Sequence, residues 1–216
     1  MSTRDELLAR IRRSQSAPQP LPELPAAFAS VTLATDAKPL LQAFHAALER
    51  MGGRWAEPPT DGDLDALVGA LFPQAQVVCS ATAEVRGNRG LDATQPPATL
   101  HDVDVGVVRA IFGVAETGSV LLTATELVVP ALGFLSQHLV VLLDPDRIVG
   151  DMHAAYREPV VRESGYAIFM TGPSATADIE GVLIHGAQGV RSLTVVPVRP
   201  QCVPDGILRR ESGART

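Results

Sequence analysis

Residues 138–143 read His-Leu-Val-Val-Leu-Leu. After its opening histidine this run has no polar position, so it does not alternate as a half-exposed strand would; it suits a strand of a parallel sheet covered on both faces. The run closes a longer segment, Leu127 to Leu143, of 17 residues without a formal charge. That is close to the length of a short membrane-spanning helix. Pro130, Gly133, Gln137 and His138 argue against a span. The better reading is a loop or short helix over Pro130 to Ser136 that feeds the buried strand.

Strands are also predicted at Val103 to Val108, Ser119 to Thr125, Tyr166 to Thr171 and Leu193 to Val198, with helices at Asp151 to Arg157 and Ser174 to Ile184. Upstream, Leu40, Leu41, Phe44, Ala47, Leu48 and Met51 recur at helical spacing, and Gly52-Gly53 supplies a stop, which predicts a helix over Ala37 to Met51. A short strand at Arg54 to Ala56, a helix over Asp61 to Phe72 and a strand over Ala75 to Cys79 follow. Strands alternating with helices define the fold class as α/β, a three-layer arrangement with helices on both faces of the sheet. Thr3 and Glu6 have capping-box spacing before a short amphipathic helix, and four prolines between Ser14 and Pro25 preclude a regular element. Residues 1–30 are therefore read as a helix and proline-rich arm, and 31–216 as the α/β domain.

Composition narrows the function. The 216 residues are 46% hydrophobic and 19% charged, enough to own a core. A net charge of -6 and pI near 5.3 remove the attraction to phosphate backbones, so nucleic acid is not an expected partner. Lys38 is the single lysine, which leaves little scope for Schiff-base chemistry. Cys79 and Cys202 form no C-x-x-C pair, so an iron-sulfur cluster held by four cysteines is excluded from this chain. Charged residues at Arg4, Asp5 and Glu6 with no apolar stretch after them give no secretory signal, and the expected compartment is the cytoplasm.

Ligand sites in such sheets gather at strand ends, where turns expose backbone N–H groups. Ala115-Glu116-Thr117-Gly118-Ser119 is a polar turn between apolar segments. Glu116 there is either a base or nucleophile raised in pKa by partial desolvation, or a carboxylate that caps a turn. Gly172-Pro173-Ser174-Ala175-Thr176-Ala177-Asp178-Ile179-Glu180 follows a predicted strand. Ser174 is read as a helix cap, Thr176 as a further donor, and one of Asp178 and Glu180 as structural. His138 is either a hydrogen-bonded core group or a site residue. The loop from Val85 to Pro97, with Arg86 and Arg89, is a surface loop or an anion-closing one. There is no nucleotide-binding glycine motif, no nucleophile elbow and no zinc spacing among the five histidines; His101-Asp102-Val103-Asp104 is at most a weak metal cluster.

Together, Ala115 to Ser119, the strand start His138-Leu139-Val140-Val141, and Thr171 to Glu180 followed by Gly186-Ala187-Gln188-Gly189 resemble the LUD-domain family, lactate utilization protein C in particular. The resemblance covers about residues 30 to 200. It implies a three-layer α/β fold similar to the sugar-phosphate isomerase and CoA-transferase superfamily. It also implies a role in oxidising L-lactate to pyruvate beside partner subunits that carry iron-sulfur clusters. Two departures stand out: Gln188 replaces a histidine of the family's G-V-H-G-P pattern, and no arginine occurs between residues 125 and 138.

The leading expectation is a non-redox accessory subunit without a cofactor or metal of its own, which binds a small organic acid or a partner. Glu116, His138 and Asp178 are its candidate catalytic residues; Thr117, Gly118, Ser119, Gly172, Ser174 and Thr176 are its candidate ligand-binding residues. The alternatives are a stand-alone enzyme with Glu116 as nucleophile or base on an acyl thioester or sugar phosphate, and a scaffold.

Overall fold

The structure, a computed structural model, describes residues 3–16, 37–179, 182–185 and 189–200. Its first elements are α1 (Thr3–Ser14), α2 (Ala37–Arg50), β1 (Arg54–Trp55), α3 (Leu64–Leu71) and β2 (Val78–Ser80). The middle of the chain forms β3 (Val105–Arg109), β4 (Phe112–Val114), β5 (Ser119–Thr123), α4 (Ala124–Leu127), α5 (Leu132–Leu135) and β6 (His138–Leu143). There follow β7 (Ile148–Val149), α6 (Met152–Arg157), α7 (Pro159–Glu163), β8 (Ala167–Met170), β9 (Ala175–Ile179), β10 (Val182–His185) and β11 (Ser192–Pro197). Much of the proline arm, Glu180, Gln188 and Cys202 lie outside the described residues, as does the side chain of Asp178.

β6 lies at the centre of a five-stranded sheet in the order β1-β11-β6-β3-β2, with every described pairing parallel. Alternation along its strands sorts side chains between two cores. Val105, Val107, Val140, Leu142 and Val196 pack with Leu64 and Val68 of α3 on one face. Leu139, Val141, Leu143, Leu193 and Val195 meet Leu40, Phe44 and Leu48 of α2 on the other. The uninterrupted Leu/Val run of β6 is thus apolar because both its faces are covered.

The second face carries more than helices. β4, β5, β7 and β8 form a four-stranded mixed sheet in the order β7-β4-β5-β8. Val120 and Leu122 join the α2 core, whereas Phe112, Val114 and Leu121 pack with Ala155 of α6. Thr123 caps α4, its hydroxyl and backbone N–H both meeting the Glu126 carboxylate. The fold is three-layer α/β with a parallel central sheet, and this small sheet completes one outer layer.

One predicted element changes type. The segment from Ser174 to Ile184 is not a helix: β9 and β10 pair antiparallel, with Val182 opposite Ile179 and a register shift before Ile184. Thr176, Ile179, Val182 and Ile184 are β-branched, and cross-strand pairing outweighs the helix-start look of Ser174. Ser174 is therefore not a helix cap. β4 and β7 were not anticipated as strands, being three and two residues long. Among the described residues, no helix is long and apolar enough to cross a membrane.

Candidate functional site

The turn between β4 and β5 is held from three sides. Ala115 and Glu116 donate their N–H groups to the carbonyls of Val149 and Gly150, and Gly118 donates to Val114. Glu116 is exposed, and its Oε2 accepts from the backbone N–H of Met152, the first residue of α6, at 3.0 Å. Asp151 caps the same helix by accepting from Ala154 N–H at 2.6 Å. Thr117 donates to the buried hydroxyl of Ser119 at 2.8 Å.

The glycines of the two motif turns meet at the carboxyl end of α2. Gly118 has φ +65°, and a Cβ there would lie 2.2 Å from Leu48 N. Gly172 has φ +59°, and a Cβ there would lie 2.2 Å from the Met51 carbonyl oxygen. Both positions demand glycine twice over, for their left-handed backbone and for the helix backbone against them. Thr171 ties the turns together by donating to the carbonyls of Thr117 at 3.3 Å and Gly118 at 3.1 Å.

Beside this junction lies an open cleft of about 640 Å³. Its walls are residues 49–52 at the end of α2, Gly133 and Phe134 of α5, the stretch 168–175, and Gly189-Val190. Gly172 and Ser174 line it; no residue from Ala115 to Ser119 does. Phe134, Ile168, Met170 and Val190 give it an apolar lining, and Glu49, Arg50, Thr171 and Ser174 add polar groups. Such a mixture suits a small molecule with an apolar body, or one apolar side chain of a partner.

His138 lies elsewhere, at the amino edge of the central sheet. Its Nδ1 is 2.8 Å from Ser192 Oγ and its ring stacks on Phe72 at 4.6 Å. Burial, and then the charges of Arg54 and Arg191, hold it below the usual histidine range. Thr176 lies on β9 and the backbone of Asp178 is in the same strand. The structure thus brings Thr117, Gly118, Ser119 and Gly172 to one junction and Gly172 and Ser174 to one cleft, with His138 in a separate cavity. Arg54, Arg191 and Phe134 were not singled out from the sequence, where lone residues at strand or helix starts carry no motif.

The other candidate clusters are engaged internally. Arg89 bonds Asp102 at 2.6 Å, so it is not free to close its loop over an anion. Asp104 Oδ2 accepts from the N–H groups of Gln76 and Val77. Among the described residues, no group of three His, Cys, Asp or Glu side chains is placed to hold a metal ion.

Both turns, the cleft wall from 168 to 175 and strands β3 to β11 fall in one stretch of recognisable sequence. Residues 98–198 match the LUD domain. Within the LUD-domain match, the second turn supplies the cleft wall and the first buttresses it through Thr171. The chain is 28% identical over 102 residues to an uncharacterized protein of Neisseria meningitidis serogroup B, a match of 46% of this chain and 44% of that protein. It thus spans less than half the length of that relative. The fold is similar to the crystal structure of a DUF162 family protein from Deinococcus radiodurans, with a TM-score of 0.59 and 17% identity over 77% of this chain and 100% of the other.

Proposed function

We propose that this chain is a non-redox subunit of an L-lactate utilization system in the cytoplasm, acting beside iron-sulfur partner proteins that oxidise L-lactate to pyruvate. The observation that carries the reading is the LUD-domain match over 98–198, which contains both motif turns. The resemblance of those turns to lactate utilization protein C supplies the pathway. The cleft beside Gly172 and Ser174 is the proposed seat of a small organic acid or of a partner's side chain. Glu116 supports the accessory role: its carboxylate is exposed and engaged by a backbone N–H, which is the environment of a cap and not of a desolvated nucleophile.

Growth provides the test. Deleting the gene from its host should abolish growth on L-lactate and spare growth on pyruvate, and tagged protein from lactate-grown cells should carry partners with iron and acid-labile sulfide. Complementation with Glu116→Gln should restore growth. Unimpaired growth of the deletion strain on L-lactate would refute the pathway. Failure of a folded Glu116→Gln protein, together with turnover of an acyl thioester or sugar phosphate by the purified chain, would instead establish the stand-alone enzyme.

A further inference from the structure

Parallel pairing gathers charge at the amino edge of the central sheet. Arg54 opens β1 beside β11, Arg191 immediately precedes β11, and His138 opens β6 opposite both Ser192 and Val105. Asp104 precedes β3. These residues, far apart in the chain, line a cavity of about 380 Å³ together with Gln137 and Phe72. That volume is at the small end of ligand-binding cavities.

The imidazole is fixed in place by the Ser192 hydroxyl on one nitrogen and the Phe72 ring on one face. In the tautomer with Ser192 donating to Nδ1, Nε2 carries the proton and is the ring's open donor, and a protonated ring donates from Nε2 whichever way the Ser192 hydroxyl points. Arg54 and Arg191 are exposed, and neither makes a side-chain hydrogen bond or ion pair among the described residues. Asp104 Oδ2 accepts from Gln76 N–H at 2.8 Å and Val77 N–H at 2.9 Å, and no hydrogen bond or ion pair joins Asp104 to either arginine. Two unpaired guanidiniums beside a histidine outnumber the one carboxylate of the cavity, Asp104, and an entering anion is attracted to that excess of positive charge.

We propose that this cavity binds a small anion, a carboxylate or phosphate group held by the guanidiniums of Arg54 and Arg191 with His138 Nε2 as a further donor. The inference stands on the cavity's own geometry and is independent of the lactate-utilization reading. Planar guanidinium forks match carboxylate and phosphate oxygens alike, so the test separates the two sources.

The full chain would be titrated calorimetrically with L-lactate, with pyruvate and with inorganic phosphate at constant ionic strength, while NMR of nitrogen-labelled histidine follows the His138 ring. At least one anion should bind with a dissociation constant on the order of millimolar or tighter and shift the His138 signals. Arg54→Gln and Arg191→Gln should each weaken that binding by about tenfold or more. Both arginines are exposed, so the variants should keep the wild-type melting temperature. Arg157→Gln, exposed at the end of α6 and lining neither cavity, should leave binding unchanged. A response to the carboxylates alone identifies an organic acid as ligand, and a response to phosphate alone a phosphate ester. Silence from all three anions overturns the proposal, as does binding that survives both arginine variants.

Discussion

Replacing Gly118 by alanine asks whether the first motif turn is built around a helix contact. The added Cβ would lie 2.2 Å from Leu48 N, 2.5 Å from Leu48 Cα and 2.7 Å from Ala47 C. All three are backbone atoms of α2, which cannot rotate aside as the end of a side chain can. Restoring ordinary contact requires the helix or the turn to retreat by about 1 Å, and overpacking of this kind costs about 1–3 kcal/mol. The left-handed backbone adds about 1 kcal/mol for alanine over glycine. Gly62 supplies the control, since it has φ +75° but nothing within 4 Å of an added Cβ. Gly62→Ala should therefore lose about 1 kcal/mol from backbone strain alone. In equilibrium urea unfolding, with a slope of roughly 2 kcal/mol/M, the midpoint should fall by about 0.5 M for Gly62→Ala and by about 1–2 M for Gly118→Ala. Gly172→Ala should follow Gly118→Ala, its Cβ meeting the Met51 carbonyl. Equal losses at Gly62 and Gly118 would refute the reasoning, because the approach of α2 would then contribute nothing.

Two further outcomes are expected. His138 should titrate below the ordinary histidine value of 6.5, and Arg54→Gln or Arg191→Gln should move it back up, as read by NMR. Because the folded value is depressed, its contribution to stability is intact above the unfolded pKa and is lost as pH falls through the folded one; stability that rose on acidification in that window would contradict the sign. Arg109 donates to Glu84 from Nε at 2.8 Å and to the Val198 carbonyl from a terminal nitrogen at 3.0 Å, with the Arg109 and Glu84 side chains 21% and 18% exposed. Glu84→Gln should cost about 2 kcal/mol by leaving that guanidinium short of its counter-charge. Arg109→Met in a double-mutant cycle should recover part of the loss, and strict additivity would count against the pair.

Much of the fold is legible in the sequence because burial writes itself into long apolar runs. β6 has covered faces on both sides, and its Leu/Val run says so; α2 buries Leu40, Phe44 and Leu48, and those residues recur at helical spacing. The β9–β10 hairpin was hidden because Ser174, Thr176 and the acids after them look like the start of a helix, whereas strand pairing depends on a partner that local spacing does not display. β4 and β7 are too short for either period to register. The site was legible in part. The motif turns stood out as polar islands, but attention falls on Glu116, the residue with the most chemistry, while the packing is decided by Gly118 two positions later. The arginines beside His138 were invisible for a different reason: Arg54, Asp104, His138 and Arg191 become neighbours only through parallel pairings of distant strands.

Those pairings also set an order on assembly. β11 is an interior strand, lying between β1 and β6, with Thr194 opposite both Arg54 and Val140. A growing chain therefore cannot close its central sheet until that late segment has left the ribosome. Until then the α2 side of β6 waits without Leu193 and Val195, and β1 has no strand to pair with. Long-range parallel closure is slow and leaves apolar edges uncovered in the meantime. During synthesis, the central sheet is most exposed to aggregation just before β11 is delivered.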